Sequence, residues 1–327
     1  MKSAVMKNSL PILSKEFIKA YIITMRPYLM FVSGITGLVG FSFGSIELSL
    51  NLFILFSAAF LSYGFGQALT DCFQIDTDSI SSPYRPLIKG LVSKYQILFL
   101  SLAGLGYCVI VFSFFNKVNL LLGIISGIGL ASYTPFKRKW WGGPFYNSWI
   151  VGILFIMSFL ASNPSSDLNS LKLFTAIGAI FFGYANFVLS GYFKDISADK
   201  ATGYNTLPVV FGRKVSSLIS DIFAVLSFSF SAITIYLILI VKNFGNSFIP
   251  ISILIITLII LFIAQFRLHR VVQDEEAYHS ISLVVHSYIL LLSAIALANK
   301  PEWSIVLIIF YSCYIFTLKV RPVKNQI

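Results

Sequence analysis

Charged residues are scarce in this chain. Lys, Arg, Asp and Glu make up 11% of its 327 residues, against about a quarter in a typical soluble domain. Hydrophobic residues make up 57%, and the mean hydropathy is +0.84. This balance excludes an ordinary water-soluble protein and predicts an integral membrane protein.

Cysteine is nearly absent as well. The three cysteines, Cys72, Cys108 and Cys313, fall in separate segments without the spacing of a metal-binding motif. Neither a disulfide framework nor a zinc site is therefore predicted.

Long apolar runs replace the missing charge, and each is close to the roughly 20 residues that a helix needs to cross a bilayer. Small residues recur within them, as close helix packing in lipid requires. The sequence thus predicts an all-α integral membrane protein, with one domain over residues 1–327. The predicted spans are 28–46, 50–70, 96–115, 118–134, 145–162, 171–191, 216–241, 248–266, 281–298 and 302–318.

The net charge of +11 reflects membrane topology rather than a nucleic-acid partner. If the N-terminus is cytoplasmic, 20 of the 24 Lys and Arg residues fall on the cytoplasmic side. The outer loops keep only Lys117, Lys172, Lys242 and Lys300. This bias follows the positive-inside rule and predicts a multi-pass protein with a cytoplasmic N-terminus.

An internal repeat is visible in the order of the segments. Span 2 runs into the acidic stretch "TDCFQIDTDSISSPYRP" at 70–86, and span 6 runs into "YFKDISADKATGYNTLPVVFG" at 192–212. Spans 1–4 and 5–8 then form two similarly oriented halves, and spans 9 and 10 lie outside the repeat. Parallel repeats of this kind place a binding site between the halves.

The first acidic stretch, taken as a helical extension of span 2, puts its polar residues on one face. Thr70, Gln74 and Asp78 lie one turn apart, and Asp71 joins them because seven residues return within about 20°. Along the axis, Asp71 and Asp78 would be about 10 Å apart. In the second stretch, Asp195 and Asp199 stand at positions i and i+4 of one face.

Four carboxylates facing one another would repel unless a cation lies between them. Mg²⁺ suits such a site, since it takes one or two carboxylates and completes its shell with water and phosphate oxygens. Basic side chains near the same mouth would take the remaining phosphate charge. They are Arg85, Lys89, Lys194, Lys137, Arg138 and Lys139. The pattern predicts a site for a lipid diphosphate, with its hydrocarbon tail in the bundle.

These motifs resemble those of the UbiA superfamily of intramembrane prenyltransferases, over residues 20–300. The family's Asn-x-x-x-Asp-x-x-x-Asp and Pro-x-Arg-Pro elements are matched by "TDCFQIDTDSISSPYRPLIKG". Its Asp-x-x-x-Asp and Thr-Leu-Pro-Val elements are matched by "DISADKATGYNTLPV". Tyr133 and Lys137 match a Tyr-x-x-x-Lys element, with Asn147 close behind. The segments "GFGQ", "SPYRPL" and "LPVVFG" are similar to the chlorophyll and bacteriochlorophyll synthase branch.

The chain departs from the family pattern in its first motif. Thr70 stands where the family has Asn, and Gln74 stands where it has the middle Asp. A neutral amide and a hydroxyl bind Mg²⁺ less strongly than a carboxylate, or in another geometry. Asp71 and Asp78 remain, and the second motif is intact.

The resemblance implies a bundle of nine core transmembrane helices in two pseudo-repeats, plus an extra C-terminal helix at 302–318. It also implies Mg²⁺-assisted ionisation of an allylic diphosphate and capture of the cation by an aromatic or hydroxyl acceptor within the membrane. The implied catalytic and metal-binding residues are Asp71, Asp78, Asp195 and Asp199. The implied diphosphate-binding residues are Arg85, Lys137, Arg138, Lys194 and Tyr133.

The remaining pocket candidates are polar residues close to these motifs. They are Arg26, Gln67, Thr70, Gln74, Asn147 and Asn186. Two other functions stay open, both compatible with the altered first motif. One is a terpene cyclase of the same superfamily, in which the prenyl cation is captured by its own double bond. The other is an isoprenoid-binding relative with weak catalysis. No feature predicts an oligomeric state.

Overall fold

The polypeptide folds into helices, and no β-strand occurs in the part of the chain that the structure describes. A computed structural model describes residues 9–163, 168–245 and 247–322. Lys2, Lys7 and Lys324, included in the charge count above, lie outside these ranges. The α-helices are α1 (Lys15–Met25), α2 (Met30–Ser42), α3 (Leu50–Asp71), α4 (Ile75–Ser81), α5 (Lys94–Phe115), α6 (Val118–Lys137), α7 (Gly143–Ser162), α8 (Leu171–Tyr192), α9 (Ile196–Ala201), α10 (Leu207–Val241), α11 (Phe248–Leu268), α12 (Ala277–Asn299) and α13 (Ser304–Lys319).

The ten predicted membrane spans are confirmed, because ten helices of the described ranges are long and apolar enough to cross a bilayer. The short helices α4 and α9 are additional and lie between spans. Three predicted starts are late, and one of these is the ninth span, which begins at Asp274 rather than residue 281. The seventh span begins at Leu207 rather than residue 216, with a change of direction at Gly212 (φ 75°). The first span includes α1 and begins at Lys15, where the Ser14 hydroxyl accepts a hydrogen bond from the Phe17 amide.

A break at Arg26 divides this first span. Pro27 follows Arg26, and a residue before proline is disfavoured in the right-handed helical region. Arg26 adopts the left-handed conformation instead, with φ 54° and ψ 70°, which is uncommon for a residue with a side chain. The break occurs at the level where the acidic motifs lie and directs a buried guanidinium towards Asp71.

The predicted two-half organisation is visible in the helix order. Long α3 is followed by short α4 and long α5, and long α8 by short α9 and long α10. The two short helices pack against each other. Helix α12 packs on α2 and α8 and thereby joins the two halves. The acidic motifs of both halves consequently meet at one end of the bundle.

Helix α13 lies outside the two repeats, as the sequence predicts. Phe310 packs edge-on against Phe31 at 5.0 Å between ring centroids and against Phe56 at 6.1 Å. Gly34 permits this approach, since a Cβ there would lie 3.2 Å from the Phe310 ring. The helix therefore contacts α2 and α3 through this aromatic cluster.

Candidate active site

The first acidic motif is not a continuous extension of its span, so that expectation is wrong. Helix α3 ends at Asp71 and α4 begins at Ile75, with Gln74 in a non-helical conformation between them (φ −122°, ψ 24°). A continuous helix would carry Asp78 about 10 Å beyond Asp71. The break returns α4 towards the bundle instead, where it can pack on α9.

The second motif has the same construction. Helix α8 ends at Tyr192, and Asp195 occupies the position before the first residue of α9. Asp195 lines the central cavity, whereas Asp199 is fully buried behind it. The Asp199 carboxylate accepts hydrogen bonds from Thr77 and Thr206, each at 3.2 Å. The Asp199 amide donates to the Asp195 carbonyl at 2.8 Å, so the two residues stand one helical turn apart, as their spacing predicts. Only Asp195 lines the cavity.

Two arginines neutralise the first motif. Arg26 Nη2 donates to both carboxylate oxygens of Asp71, at 2.9 and 3.0 Å. Arg85 pairs with Asp78 and also lies 3.5 Å from Asp71. One guanidinium thus bridges Asp71 and Asp78, which brings these carboxylates much closer than the helical extension predicted. Gln67 donates a further hydrogen bond to Asp71 at 2.8 Å.

The ionisable groups of the first motif respond to burial and to each other. Burial raises the pKa of Asp78, an effect that Arg85 opposes. Burial alone would lower the pKa of Arg85, but the Asp78 and Asp71 carboxylates raise it above its usual range. Arg85 is therefore a permanent cation at this end of the bundle.

Lys137 connects the two motifs. It lies at the end of α6 and donates to Gln74 Oε1 at 2.9 Å, while its ammonium lies 3.7 Å from Asp199. The same ammonium lies 5.6 Å from the ring centre of Tyr192 and 5.2 Å from that of Tyr204, within cation–π range. Gln74 is thus placed on the wall of the predicted site, as a neutral partner of the lysine.

The pKa values of Asp199 and Lys194 are shifted from their ordinary values. Burial raises the pKa of Asp199 to about 6, with the positive charge of Lys137 acting against it. Burial also lowers the pKa of Lys194 to about 8, opposed by the Asp195 carboxylate. Lys194 lines the cavity, and a strong shift on such a group is typical of functional sites.

The polar end leads into one elongated cavity. The empty space, including the open solvent at its mouth, is about 1450 Å³. Most predicted site residues line it: Arg26, Gln67, Thr70, Asp71, Gln74, Asp78, Arg85, Tyr133, Lys137, Asn147, Lys194 and Asp195. Away from the charges, the wall becomes apolar, with Leu105, Phe112, Leu130, Leu154 and Met157 among its residues. The shape suits a charged headgroup with a hydrocarbon tail.

Three predicted site residues lie away from this cavity. Asp199 is one of them. Arg138 is about half exposed and pairs with Asp76 at 2.8 Å, while stacking on the Tyr204 ring at 4.5 Å. Asn186 belongs to a buried polar network, in which its side-chain oxygen accepts from Ser220 at 2.6 Å.

Several residues of the site were not singled out from the sequence. Tyr63, Tyr184 and Tyr192 line the cavity, and the Tyr192 hydroxyl lies 2.8 Å from that of Tyr133. Tyrosines are frequent in this chain, so composition alone could not select these three. Thr206, however, lies within the Thr-Leu-Pro-Val element, and that motif could have indicated its contact with Asp199.

The donor set fits a hard cation that shares its shell with a ligand. No group of three or more His, Cys, Asp and Glu side chains converges in the described residues. Asp71, Asp78 and Asp195 nevertheless place carboxylate oxygens on the cavity wall. Mg²⁺ is commonly bound by one or two carboxylates together with water and substrate phosphates, so this set meets its requirement.

The arginines also retain hydrogen-bonding capacity. Among the described residues, the buried Nε atoms of Arg26 and Arg85 have no hydrogen-bond partner. A buried donor without a partner carries a free-energy penalty that an anionic ligand would remove. The cavity wall therefore combines two arginines that have spare donors with carboxylates at its polar end.

Comparison with known proteins gives a consistent family assignment. The model of the UbiA prenyltransferase family matches residues 30–286. A relative from Thermococcus kodakarensis, named digeranylgeranylglyceryl phosphate synthase, is 28% identical over 211 residues, covering 64% of this chain and 75% of its own length. This relative is not named as a chlorophyll synthase. The similarity of the chain to the chlorophyll and bacteriochlorophyll synthase branch stays a prediction.

Solved structures share the fold. The apo structure of a UbiA homologue from Aeropyrum pernix K1 superposes with a TM-score of 0.67 at 18% identity, covering 81% of this chain and 96% of that one. A UbiA homologue from Archaeoglobus fulgidus bound to GPP and Mg²⁺ has a TM-score of 0.63 at 18% identity, covering 84% of this chain and 99% of that one. At these identities the likeness supports the fold.

Proposed function

This chain belongs to the UbiA prenyltransferase family, and we propose that it transfers a prenyl group from a prenyl diphosphate to a lipophilic acceptor within the membrane. The observation that carries this proposal is the cavity, in which an apolar channel ends at buried cations and carboxylates. Arg26 and Arg85 line its charged end, and among the described residues their Nε donors have no hydrogen-bond partner. A prenyl diphosphate has both an anionic head and an apolar tail.

We assign Mg²⁺ as the cofactor, held by Asp71, Asp78 and Asp195, with Asp199 supporting this set from behind the wall. When bound, the ion supplies Lewis-acid stabilisation of the diphosphate. The Archaeoglobus fulgidus homologue was solved with this metal and GPP together. The oxygen donors on the cavity wall suit such a shared shell.

The chain's own residues account for the rest of the chemistry. The bond between C1 of the prenyl group and its diphosphate oxygen breaks, and the diphosphate leaves with the electron pair. Arg26, Arg85, Lys137 and Lys194 stabilise the charge that develops on the leaving group. Cavity-lining tyrosine rings stabilise the allylic cation through their negative faces. An acceptor oxygen or ring carbon then forms the new bond to C1, and its proton passes to the released diphosphate.

We propose a hydroxyl-bearing lipid as the acceptor. The support comes from the relatives, which are named digeranylgeranylglyceryl phosphate synthases and thus after a glyceryl product. Near the diphosphate site, Tyr133 and Tyr192 form a buried hydroxyl pair at 2.8 Å. This pair is a polar contact point for an acceptor hydroxyl. An aromatic acceptor is the alternative that the assay below distinguishes.

We also propose that the N-terminus and the active site face the cytoplasm. The support is the distribution of basic residues, since 20 of 24 Lys and Arg fall on that side. Reporter fusions after residue 90 and after residue 243 test it. The first fusion should report the cytoplasm and the second the opposite side, and the reverse pattern would refute the assignment.

The activity is tested with membranes that contain the full chain, Mg²⁺ and a radiolabelled prenyl diphosphate. Parallel reactions receive a glycerol-phosphate ether lipid, a lipophilic phenol or no acceptor. We expect an acid-stable prenyl ether and release of diphosphate with the first acceptor. If a cyclic hydrocarbon formed in the reaction without acceptor, the proposal would be wrong and the protein would be a terpene cyclase. If the prenyl diphosphate bound but no diphosphate was released, the protein would be an isoprenoid-binding protein without this activity.

A further inference from the structure

The apolar part of the cavity has a defined depth along α6. Lys137 marks the charged end, and Gly127 and Gly123 line the wall further along the same helix. The fourteen residues from Lys137 to Gly123 span about 21 Å at the rise of an α-helix. The channel therefore extends most of the way across a hydrocarbon core of about 30 Å.

Large side chains on two neighbouring helices line the far end of this channel. Phe112 of α5 and Met157 of α7 line the cavity and are buried. Beneath them, the Asn119 amide donates to the Phe112 carbonyl at 3.2 Å and to the Met157 carbonyl at 3.1 Å. Because Asn119 is fully buried, it ties the two helices together at this level. We define Phe112, Met157 and Asn119 as the channel floor.

The depth can be compared with the length of a prenyl chain. One isoprene unit adds four carbon–carbon bonds of about 1.5 Å to the main chain, or about 5 Å of extended length. Four extended units, about 20 Å, match the length of about 21 Å from Lys137 to Gly123 along α6. Resting on the proposed function, we infer that this channel measures the prenyl donor, accepts chains of up to twenty carbons, and owes its full depth to Gly127.

Gly127 has the geometry that this role requires. It lines the cavity, and a Cβ added there would meet no atom within 4 Å. It lies ten residues, or about 15 Å, from Lys137. Side chains on a helix lean towards its N-terminus, which on α6 is the deep direction. A phenylalanine at position 127 would therefore fill the last part of the channel and leave space for about three units.

The chain offers a matched control. Gly106 of α5 also has no atom within 4 Å of an added Cβ, but it does not line the cavity. Gly106→Phe thus makes the same change to helix propensity and side-chain volume without filling the channel. Met157→Ala supplies the opposite perturbation, because it shortens a floor residue and deepens the channel.

The test measures binding by the purified full chain in lipid nanodiscs with Mg²⁺. The probes are non-hydrolysable diphosphate analogues carrying ten-, fifteen-, twenty- and twenty-five-carbon prenyl chains. For the wild type, we expect affinity to rise with each unit up to twenty carbons and not beyond. In Gly127→Phe, the preference for twenty over ten carbons should fall about 100-fold, because the fourth unit loses its apolar burial.

Gly106→Phe should keep the wild-type preference, and Met157→Ala should extend the rise to twenty-five carbons. An unchanged chain-length preference in Gly127→Phe, or a uniform loss at every length, would overturn the inference while leaving the proposed function intact. A wild type that binds none of the analogues would overturn both. The experiment thus distinguishes failure of the inferred chain-length selection from failure of the proposed function.

Discussion

The buried pair of Arg26 and Asp71 should be a main stabilising contact of the unliganded site. We consider Arg26→Met, Asp71→Asn and the double variant, measured without Mg²⁺. Arg26 is 6% exposed and Asp71 is 3% exposed, and two hydrogen bonds of 2.9 and 3.0 Å join them. Removing one member of such a pair leaves the other charge uncompensated, which costs about 3–5 kcal/mol.

The structure allows the two single variants to be ranked. In Arg26→Met, Asp71 keeps the Gln67 amide at 2.8 Å and Arg85 at 3.5 Å, so we expect about 3 kcal/mol of destabilisation. In Asp71→Asn, Arg26 loses the one ion-pair partner it has among the described residues, and we expect about 4 kcal/mol. The double variant should cost about 2–3 kcal/mol less than the sum.

The assay is denaturant unfolding of the full chain in detergent micelles, with EDTA present. Arg138→Met, Asp76→Asn and their double variant provide a control cycle. That pair is also 2.8 Å apart but is 47% and 40% exposed, so its coupling should stay below about 1 kcal/mol. Equal coupling energies in the two cycles would refute the view that burial gives the Arg26 pair its strength.

Three further results are expected. Asp195→Asn should abolish turnover in the labelled-diphosphate assay, and full activity in both Asp195→Asn and Asp199→Asn would refute the site assignment. Gln74→Asp should lower the Mg²⁺ concentration for half-maximal activity about tenfold, because a carboxylate joins the cavity wall. An unchanged Mg²⁺ concentration for half-maximal activity would show that residue 74 does not contact the metal. Since burial lowers the pKa of Lys194 to about 8, the ammonium is lost as pH rises, and kcat/KM for the diphosphate should fall about tenfold per pH unit above that value. Lys194→Arg should remove this alkaline fall, and a wild-type profile that stays level to pH 10 would contradict it.

Hydrophobic run length was sufficient to predict the ten spans, because every helix that crosses a bilayer must satisfy its backbone within an apolar segment. The start of the first span was harder to predict from the sequence. Residues 15–25 carry Lys15, Glu16 and Lys19, which obscure a helix that is amphipathic rather than uniformly apolar. Pro27 marked a discontinuity, but only the structure shows that the chain resumes as helix on both sides of it.

The motifs identified most of the cavity wall, yet not how the carboxylates are arranged. Helical periodicity assumes an unbroken helix, and no proline or glycine between Asp71 and Ile75 signals the break. Tertiary contacts decide it, since packing of α4 on α9 requires the chain to turn there. In this packing Thr77 of α4 donates to Asp199, which is fully buried. Spacing alone could identify these residues but could not separate the lining carboxylates from the buried one.

The loss of a carboxylate at Gln74 changes the charge balance of the whole cavity. Four cations line it, Arg26, Arg85, Lys137 and Lys194, against the three carboxylates Asp71, Asp78 and Asp195. An aspartate at position 74 would make these numbers equal and would compete with the substrate for Lys137. With Gln74, the lysine retains a neutral partner at 2.9 Å, and the wall has an excess positive charge to offer the diphosphate. Fewer carboxylates therefore suffice, because protein cations take over part of the charge that a metal would otherwise neutralise.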